Sequence, residues 1–268
     1  MTAEVFAPAK INLTLHVTGQ RADGYHLLDS LVIFSNVGDR LWITPADEIS
    51  LEVVGPFAKG VPSDSRNLIW QAAELAGRSA HIKVEKNLPH GAGIGGGSSD
   101  AAAVLRHFRV TDGAAQLGAD VPVCLAAKAS RMRGIGDQIT LVEGLPKRLW
   151  AVLVNPMVHV PTPAVFAGLT QKTHAPMPDP LPALRGDREW LLWLGQMRND
   201  LEVPAIVQAP VIAEALHALK AWNPFLARMS GSGATCFALF GDQGMSEIAA
   251  SRLAADHPDW WVRDVALS

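Results

Sequence analysis

The chain has 268 residues, 49% hydrophobic and 18% charged, with a formal net charge of −3. That balance excludes a disordered low-complexity chain and leaves no basic footprint for nucleic acid. No apolar run approaches the roughly 18 residues of a membrane span, and the opening MTAEVFAPAK has no basic stretch followed by an apolar one. A soluble cytoplasmic protein acting on a small molecule is expected, with no membrane or nucleic-acid partner. Cys124 and Cys236 lie far apart with no Cys-x-x-Cys, which fits a reducing compartment and argues against a disulfide framework.

Residues 9–18 (AKINLTLHVT) alternate, with Ile11, Leu13, Leu15 and Val17 on one face, and read as a half-buried strand. RADG at 21–24 is turn chemistry. Strands are predicted over 27–34, 40–44 and 49–54. Asp64 or Ser65 is placed to cap a helix running to about Ala76, with Gly77 as its stop. HIKVE at 81–85 is again a short strand. A glycine-rich loop follows, then an alanine-rich helix for which Ser98, Ser99 and Asp100 are suitable first residues. Strand 150–155 (WAVLVN) opens a second half, which sets the domain boundary at 148/149: domains 1–148 and 149–268. Pro161, Thr162 and Pro163 open a short helix to Ala167. Four prolines between Thr170 and Gly186 exclude helix and central strand there, leaving a surface loop. Helices at 187–198 and 210–221, the loop MSGSGA, a strand at 235–240, a helix at 245–255 and a strand near 261–265 complete the order. Trp190 and Trp193 read as a core-facing helix stripe. The fold class is α+β.

Pro89–Ser99 is the most informative stretch. Gly91, Gly93, Gly95, Gly96 and Gly97 allow backbone N–H groups to turn inward, and the helix that follows offers its free N–H groups and positive dipole end to an anion. This is a phosphate cradle. It is no Walker A loop, because no lysine follows the glycines. Gly91, Gly93 and Gly96 also spell the dinucleotide fingerprint, but residues 87–90 separate it from the strand and no second strand ending in an acid follows at the right distance. The partner motifs of a protein-kinase glycine loop are absent.

Other candidates stay ambiguous on the residues alone. Tyr25, the single tyrosine, stands beside His26 in a turn; the pair is suited to stack on a base and read its edge, or to fill the rim of a core. Asp120 in LGADVP is either a general base or the N-cap of a helix opening at Val121-Pro122, and one carboxylate can serve both. Lys10, if placed near Asp120, would weaken it as a base but stabilise charge. Ser230–Ala234 is a glycine loop or an ordinary helix-to-strand turn. His90, His107, His159, His174, His217 and His257 show no metal-ligand spacing, so no protein-held metal site is expected.

PHGAGIGGGSSDAAA resembles the second motif of the GHMP small-molecule kinases. PAKINLTLHVTGQRADGYHLLDSL, LGADVPVCL, RNDLE and MSGSGATCFALF resemble the branch of that superfamily whose acceptor is a CDP-linked methylerythritol, so the resemblance spans residues 8–240. It implies an ATP-dependent kinase of two α+β domains with its site in the cleft between them. The implied reaction moves the γ-phosphate to the 2-hydroxyl of the methylerythritol moiety, in the non-mevalonate route to isoprenoid precursors.

By position the resemblance makes Lys10 and Asp120 the catalytic pair. Asn12, Tyr25, His26, Thr162 and Phe166 fall on the substrate side, four of them around the cytidine. Asn67, Leu68 and Lys86 lie on the adenine side. Pro89, His90, Gly91, Ala92, Gly93, Ile94, Gly95, Gly96, Gly97, Ser98 and Ser99 form the triphosphate loop. ATP is expected as its Mg2+ complex, with Ser98 or Ser99 able to contribute a hydroxyl. A monomer or weak homodimer is expected. The interval between the glycine loop and Asp120 is short, which predicts a truncated helix there. A homoserine- or mevalonate-type kinase and a non-catalytic nucleotide-binding protein are the alternatives.

Overall fold

A computed structural model describes all residues from 1 to 268. It consists of two compact units that are not consecutive in sequence: residues 1–10, 37–90 and 95–128 form the first, and 11–36, 91–94 and 129–268 the second. The expected division at 148/149 is therefore a division of the sequence. In space, β1 (Ala3–Gln20) and β2 (His26–Pro45) contribute to both units. The two strands pair across the turn at 21–24.

Sequence reading split β2 into two strands. Residues 35–39 fall between the predicted strands 27–34 and 40–44, but one strand of 20 residues runs through them. Gly38 is there because the backbones of β1 and β2 approach closely; a Cβ at that position would collide with the Ala7 carbonyl oxygen.

In the first unit, β3 (Ser50–Val54) runs parallel to β4 (Ala80–Glu85), and β4 pairs antiparallel with residues 40–45 of β2. Four helices accompany these strands: α1 (Leu68–Leu75), α2 (Gly96–Phe108), α3 (Ala114–Leu117) and α4 (Val121–Ala126). Helix α2 packs on α1 and α4, and every residue from Ser99 to Leu105 is buried. Its three alanines explain how a helix can be covered all round: small side chains let neighbours close in on each face. The truncated helix expected before Asp120 is α3, four residues held between Gly113 (φ 80°) and Gly118.

Helix α1 starts later than predicted. Its N-cap is Asn67, whose side chain accepts from Ile69 N at 2.9 Å, and not Asp64 or Ser65. Ser98, Ser99 and Asp100 stand in the first two turns of α2, as expected; the helix starts at Gly96 behind a left-handed Gly95 with no side-chain cap.

In the second unit, β10 (Trp261–Leu267), β7 (Leu149–Asn155), β9 (Cys236–Phe240) and β8 (Leu226–Met229) form an antiparallel sheet in that order. Leu267 of β10 registers with Ser35 of β2. The hairpin of β5 (Ser130–Gly134) and β6 (Gln138–Leu141) joins residues 28–32 of β2. The core between this sheet and its helices is aliphatic, with Val152, Val154, Ile212, Leu216 and Ala249 all buried. Its helices are α5 (Thr162–Ala167), α6 (Asp187–Gln196), α7 (Glu202–Gln208), α8 (Val211–Lys220) and α9 (Gln243–Asp256). Trp190 and Trp193 of α6 are buried and meet edge to face at 5.6 Å.

The proline-rich stretch 170–186 is irregular, as its prolines require, but it is not only a surface loop. Met177 is buried, and Asp29 accepts from Met177 N at 2.8 Å while holding Arg131 through two 2.7 Å bonds.

Candidate active site

The glycine loop passes from β4 into α2. Gly91, Gly93 and Gly95 all have positive φ, between 56° and 72°, a backbone path that L side chains rarely adopt. Because no side chain caps α2, its first-turn N–H groups have no intrahelical acceptor and present a positive end. Leu68 lies against this turn: a Cβ on Gly97 would be 3.8 Å from Leu68 Cδ1.

Beside the same turn sits the predicted catalytic pair. Lys10 Nζ donates to Asp120 Oδ2 at 2.8 Å. The lysine is buried, whereas the Asp120 side chain keeps 37% of its exposure. Asp120 occupies the N-cap position of α4, but its side chain makes no capping bond. Of the two readings left open, the carboxylate is committed to Lys10. A Cβ on Gly95 would lie 3.3 Å from Lys10 Cβ, so the pair borders the start of α2. Cys124, behind them, is inert: burial, then the Asp120 charge, pushes its thiol up to about 12.

In the second unit the remaining candidates form two clusters. His26 stacks on Phe166 with centroids 5.0 Å apart and planes 25° from parallel. Burial, then Lys172, lowers the His26 pKa, so the ring is neutral at pH 7; its Nε2 is buried without a partner. Tyr25 is 63% exposed, and Thr162 Oγ1 bonds Ser232 Oγ at 2.7 Å. The second cluster surrounds Asn12. Its Nδ2 donates to Ser30 Oγ at 2.8 Å, its N–H donates to Ser230 Oγ at 3.0 Å, and its Oδ1 is buried without a partner. Each cluster thus holds one buried polar atom without a partner in the protein.

Ser230 also donates to Gly93 O at 3.1 Å, and Thr235 N donates to Ala92 O at 3.1 Å. The loop 230–234 is therefore no ordinary turn. It holds the crown of the phosphate loop, residues 91–94.

Two adenine-side candidates are already engaged. Asn67 caps α1 and donates from Nδ2 to Pro62 O at 2.7 Å. Lys86 Nζ is buried between Asp39 and Asp100, the latter at 2.5 Å. Burial alone would depress that ammonium; Asp100 and Asp39 outweigh burial and raise it. Sequence reading missed both aspartates. Asp39 lies 47 residues from Lys86, and no local pattern announces such a pairing.

A metal ion would find no cage of three or more His, Cys, Asp or Glu side chains. The donors at the loop suit Mg2+ nonetheless: Ser99 Oγ is buried and unpartnered, and Mg2+ commonly keeps several waters and binds through substrate phosphates.

Comparison with known proteins agrees with this architecture. The profile for the GHMP kinases N terminal domain matches residues 67–144, and that for GHMP kinases C terminal matches 182–259. The class is thus that of the GHMP kinases. A protein of Dinoroseobacter shibae named 4-diphosphocytidyl-2-C-methyl-D-erythritol kinase is 56% identical over 98% of this chain and 94% of its own length. One of the same name from Paracoccus denitrificans is 52% identical, covering 96% and 93%. A crystal structure of 4-(cytidine 5'-diphospho)-2C-methyl-D-erythritol kinase superposes with a TM-score of 0.79 at 31% identity, covering 99% of both chains. Homoserine kinase from Cytophaga hutchinsonii shares the fold, with a TM-score of 0.64 at 16% identity over 100% of this chain and 94% of its own. Within the GHMP class, the chain belongs to the family of the 4-diphosphocytidyl-2-C-methyl-D-erythritol kinases.

Proposed function

We propose that the chain transfers the γ-phosphate of ATP to the 2-hydroxyl of 4-diphosphocytidyl-2-C-methyl-D-erythritol, in the non-mevalonate route to isoprenoid precursors. The observation that carries this reading is the Lys10–Asp120 pair bordering the uncapped start of α2. Residues 89–99 cradle the triphosphate through backbone N–H groups, with Asn67, Leu68 and Lys86 flanking the nucleotide side. Bound Mg2+ would neutralise charge on the phosphates, with Ser98 or Ser99 and water as its partners.

Asp120 orients the acceptor hydroxyl and takes its proton. Lys10 holds that carboxylate in place and stabilises charge. This division suits phosphoryl transfer, which passes through a loose transition state and gains most from positioning and charge stabilisation. Asn12 Oδ1 accepts from the acceptor. His26, neutral and backed by Phe166, reads the hydrogen-bonding edge of cytosine, and Tyr25 and Thr162 complete the cytidine side. We further propose a cytoplasmic monomer or weak homodimer, with 148/149 dividing the sequence into its N- and C-terminal domains.

ADP release tests the reading, with the CDP-linked substrate, homoserine and mevalonate in parallel. Turnover is expected with the CDP substrate alone. Turnover with another alcohol would keep the phosphate loop and overturn the roles of Tyr25 and His26. ATP binding without any turnover would leave a nucleotide-binding protein.

A further inference from the structure

We propose that the buried triad Asp39–Lys86–Asp100 is a positioning device that pins both ends of the phosphate loop, and that Lys86 serves ATP through this pin and not as a charge on the nucleotide. The inference rests on the kinase reading of residues 89–99.

Each member is held from a different element. Lys86 follows β4 directly; its N–H donates to Val54 O at 2.8 Å and its carbonyl accepts from Phe57 N at 3.1 Å, so its backbone is fixed. Its ammonium is enclosed by the two carboxylates and 4% of the residue is exposed. Asp39, on β2, is fully buried. While one of its oxygens meets Lys86, the other accepts from Asn87 N at 2.5 Å and Leu88 N at 3.0 Å. Those are the last residues before Pro89. Asp100, in the second turn of α2, meets Lys86 at 2.5 Å directly after the loop.

The entry of the loop is thereby tied to Asp39 and its exit to Asp100, with one lysine joining them. Gly96 passes close by: a Cβ there would lie 3.8 Å from Asp39 Oδ2. A glycine-rich loop loses more conformational freedom on ordering than any other sequence. A cradle built from backbone N–H groups works only when that ordering is done before the ligand arrives. The triad does it with charged hydrogen bonds that are shielded from solvent, where they are strongest.

A lysine with both faces occupied by carboxylates has no unshared charge for a phosphate or an adenine. The two roles therefore separate experimentally. Asp100→Ala leaves Lys86 with Asp39 as a neutral pair but cuts the link to α2. If Lys86 were a nucleotide ligand, freeing it from Asp100 would leave ATP binding equal or tighter. If it is a pin, the KM for ATP rises by on the order of tenfold, because the competent loop becomes a minority conformation. The KM for the acceptor stays within about twofold of wild type, and Asp100→Asn, which keeps an acceptor for Lys86, recovers most of the loss. Direct ATP titration by calorimetry accompanies the kinetics. Wild-type chain that binds no ATP would overturn the kinase reading itself. Wild-type binding with an unchanged or tighter Asp100→Ala affinity would overturn the pin alone, as would equal losses in Asp100→Ala and Asp100→Asn. If Asp100→Ala does not fold, the triple variant Asp39→Asn/Lys86→Met/Asp100→Leu removes all three charges together and nearly keeps the volume, the amide oxygen at 39 still able to accept from Asn87 N and Leu88 N. It is expected to fold and to show the same rise in ATP KM; wild-type ATP affinity in it would overturn the proposal.

Discussion

At the scale of single residues, the proposed mechanism gives Lys10 and Asp120 unequal shares of phosphoryl transfer. The 2.8 Å contact fixes the Asp120 carboxylate, as the proposed role of orienting a hydroxyl requires. Asp120→Asn is expected to lower kcat by roughly 10²–10⁴-fold while leaving the KM for ATP within about twofold. Steady-state kinetics with each substrate varied in turn check this; a kcat near wild type would remove Asp120 from the chemistry. His26 gives a pH prediction. Burial, then Lys172, lowers its pKa from 6.5, so the folded state resists protonation more than the unfolded chain does. Its contribution to stability is complete above 6.5 and declines as pH falls through the window below it. The acceptor KM is expected to be flat from pH 8 to pH 7 and to respond to His26 protonation only in more acidic buffer; His26→Gln should abolish that acidic response. Both residues were legible because they stand in long sequence motifs. The partners of Lys86 were not, because ion pairing across 47 residues leaves no local signature. Asn67 was misread for a different reason: Asp64, Ser65 and Asn67 are near-equal N-caps, and only the backbone path decides among them.

At the scale of elements, the alternation in β1 and the glycine-rich entry to α2 were readable, since period and glycine content speak directly about local backbone. Gly38 falls in the gap between two predicted strands. It signals a close strand-to-strand approach, which looks identical to a turn until the neighbour is known. Strands β5, β6 and β8 and helix α7 were not anticipated; they are four to seven residues long, too short for a periodicity to stand out. The phosphate loop yields the prediction at this scale. Gly93 has φ +72°, and a Cβ there would lie 2.5 Å from Ser230 O. Gly93→Ala therefore imposes both a disfavoured conformation and a clash with the loop that holds it, costing about 2 kcal/mol or more. A melting temperature roughly 4–8 °C lower and loss of detectable ATP binding are expected. A variant with wild-type melting and ATP affinity would show that the crown of the loop is freely adjustable.

At the scale of the whole molecule, the organising fact is that two long strands serve two cores. The fragment 1–148 contains every residue of the first unit, but it also carries 11–36 without the sheet of β7 to β10. Leu15 and Val17, buried in the intact chain in one core with Val152, Val154 and Ile212, would lose that cover in the fragment. Expressed alone it is expected to aggregate or to lack a cooperative thermal transition; a monomeric fragment with a sharp melt would show that the first unit is self-sufficient.

Synthesis proceeds in one direction, and here it runs against that shared architecture. Phe34 exchanges backbone hydrogen bonds with Ser268, at 3.1 and 2.9 Å. The early segment must therefore wait for residues made more than two hundred positions later. At about 5–20 residues per second that interval is on the order of ten seconds or more. Throughout it an apolar strand edge stays without its partner on the nascent chain. An unpaired apolar edge is prone to association, so the yield of folded chain is expected to fall as its concentration during synthesis rises.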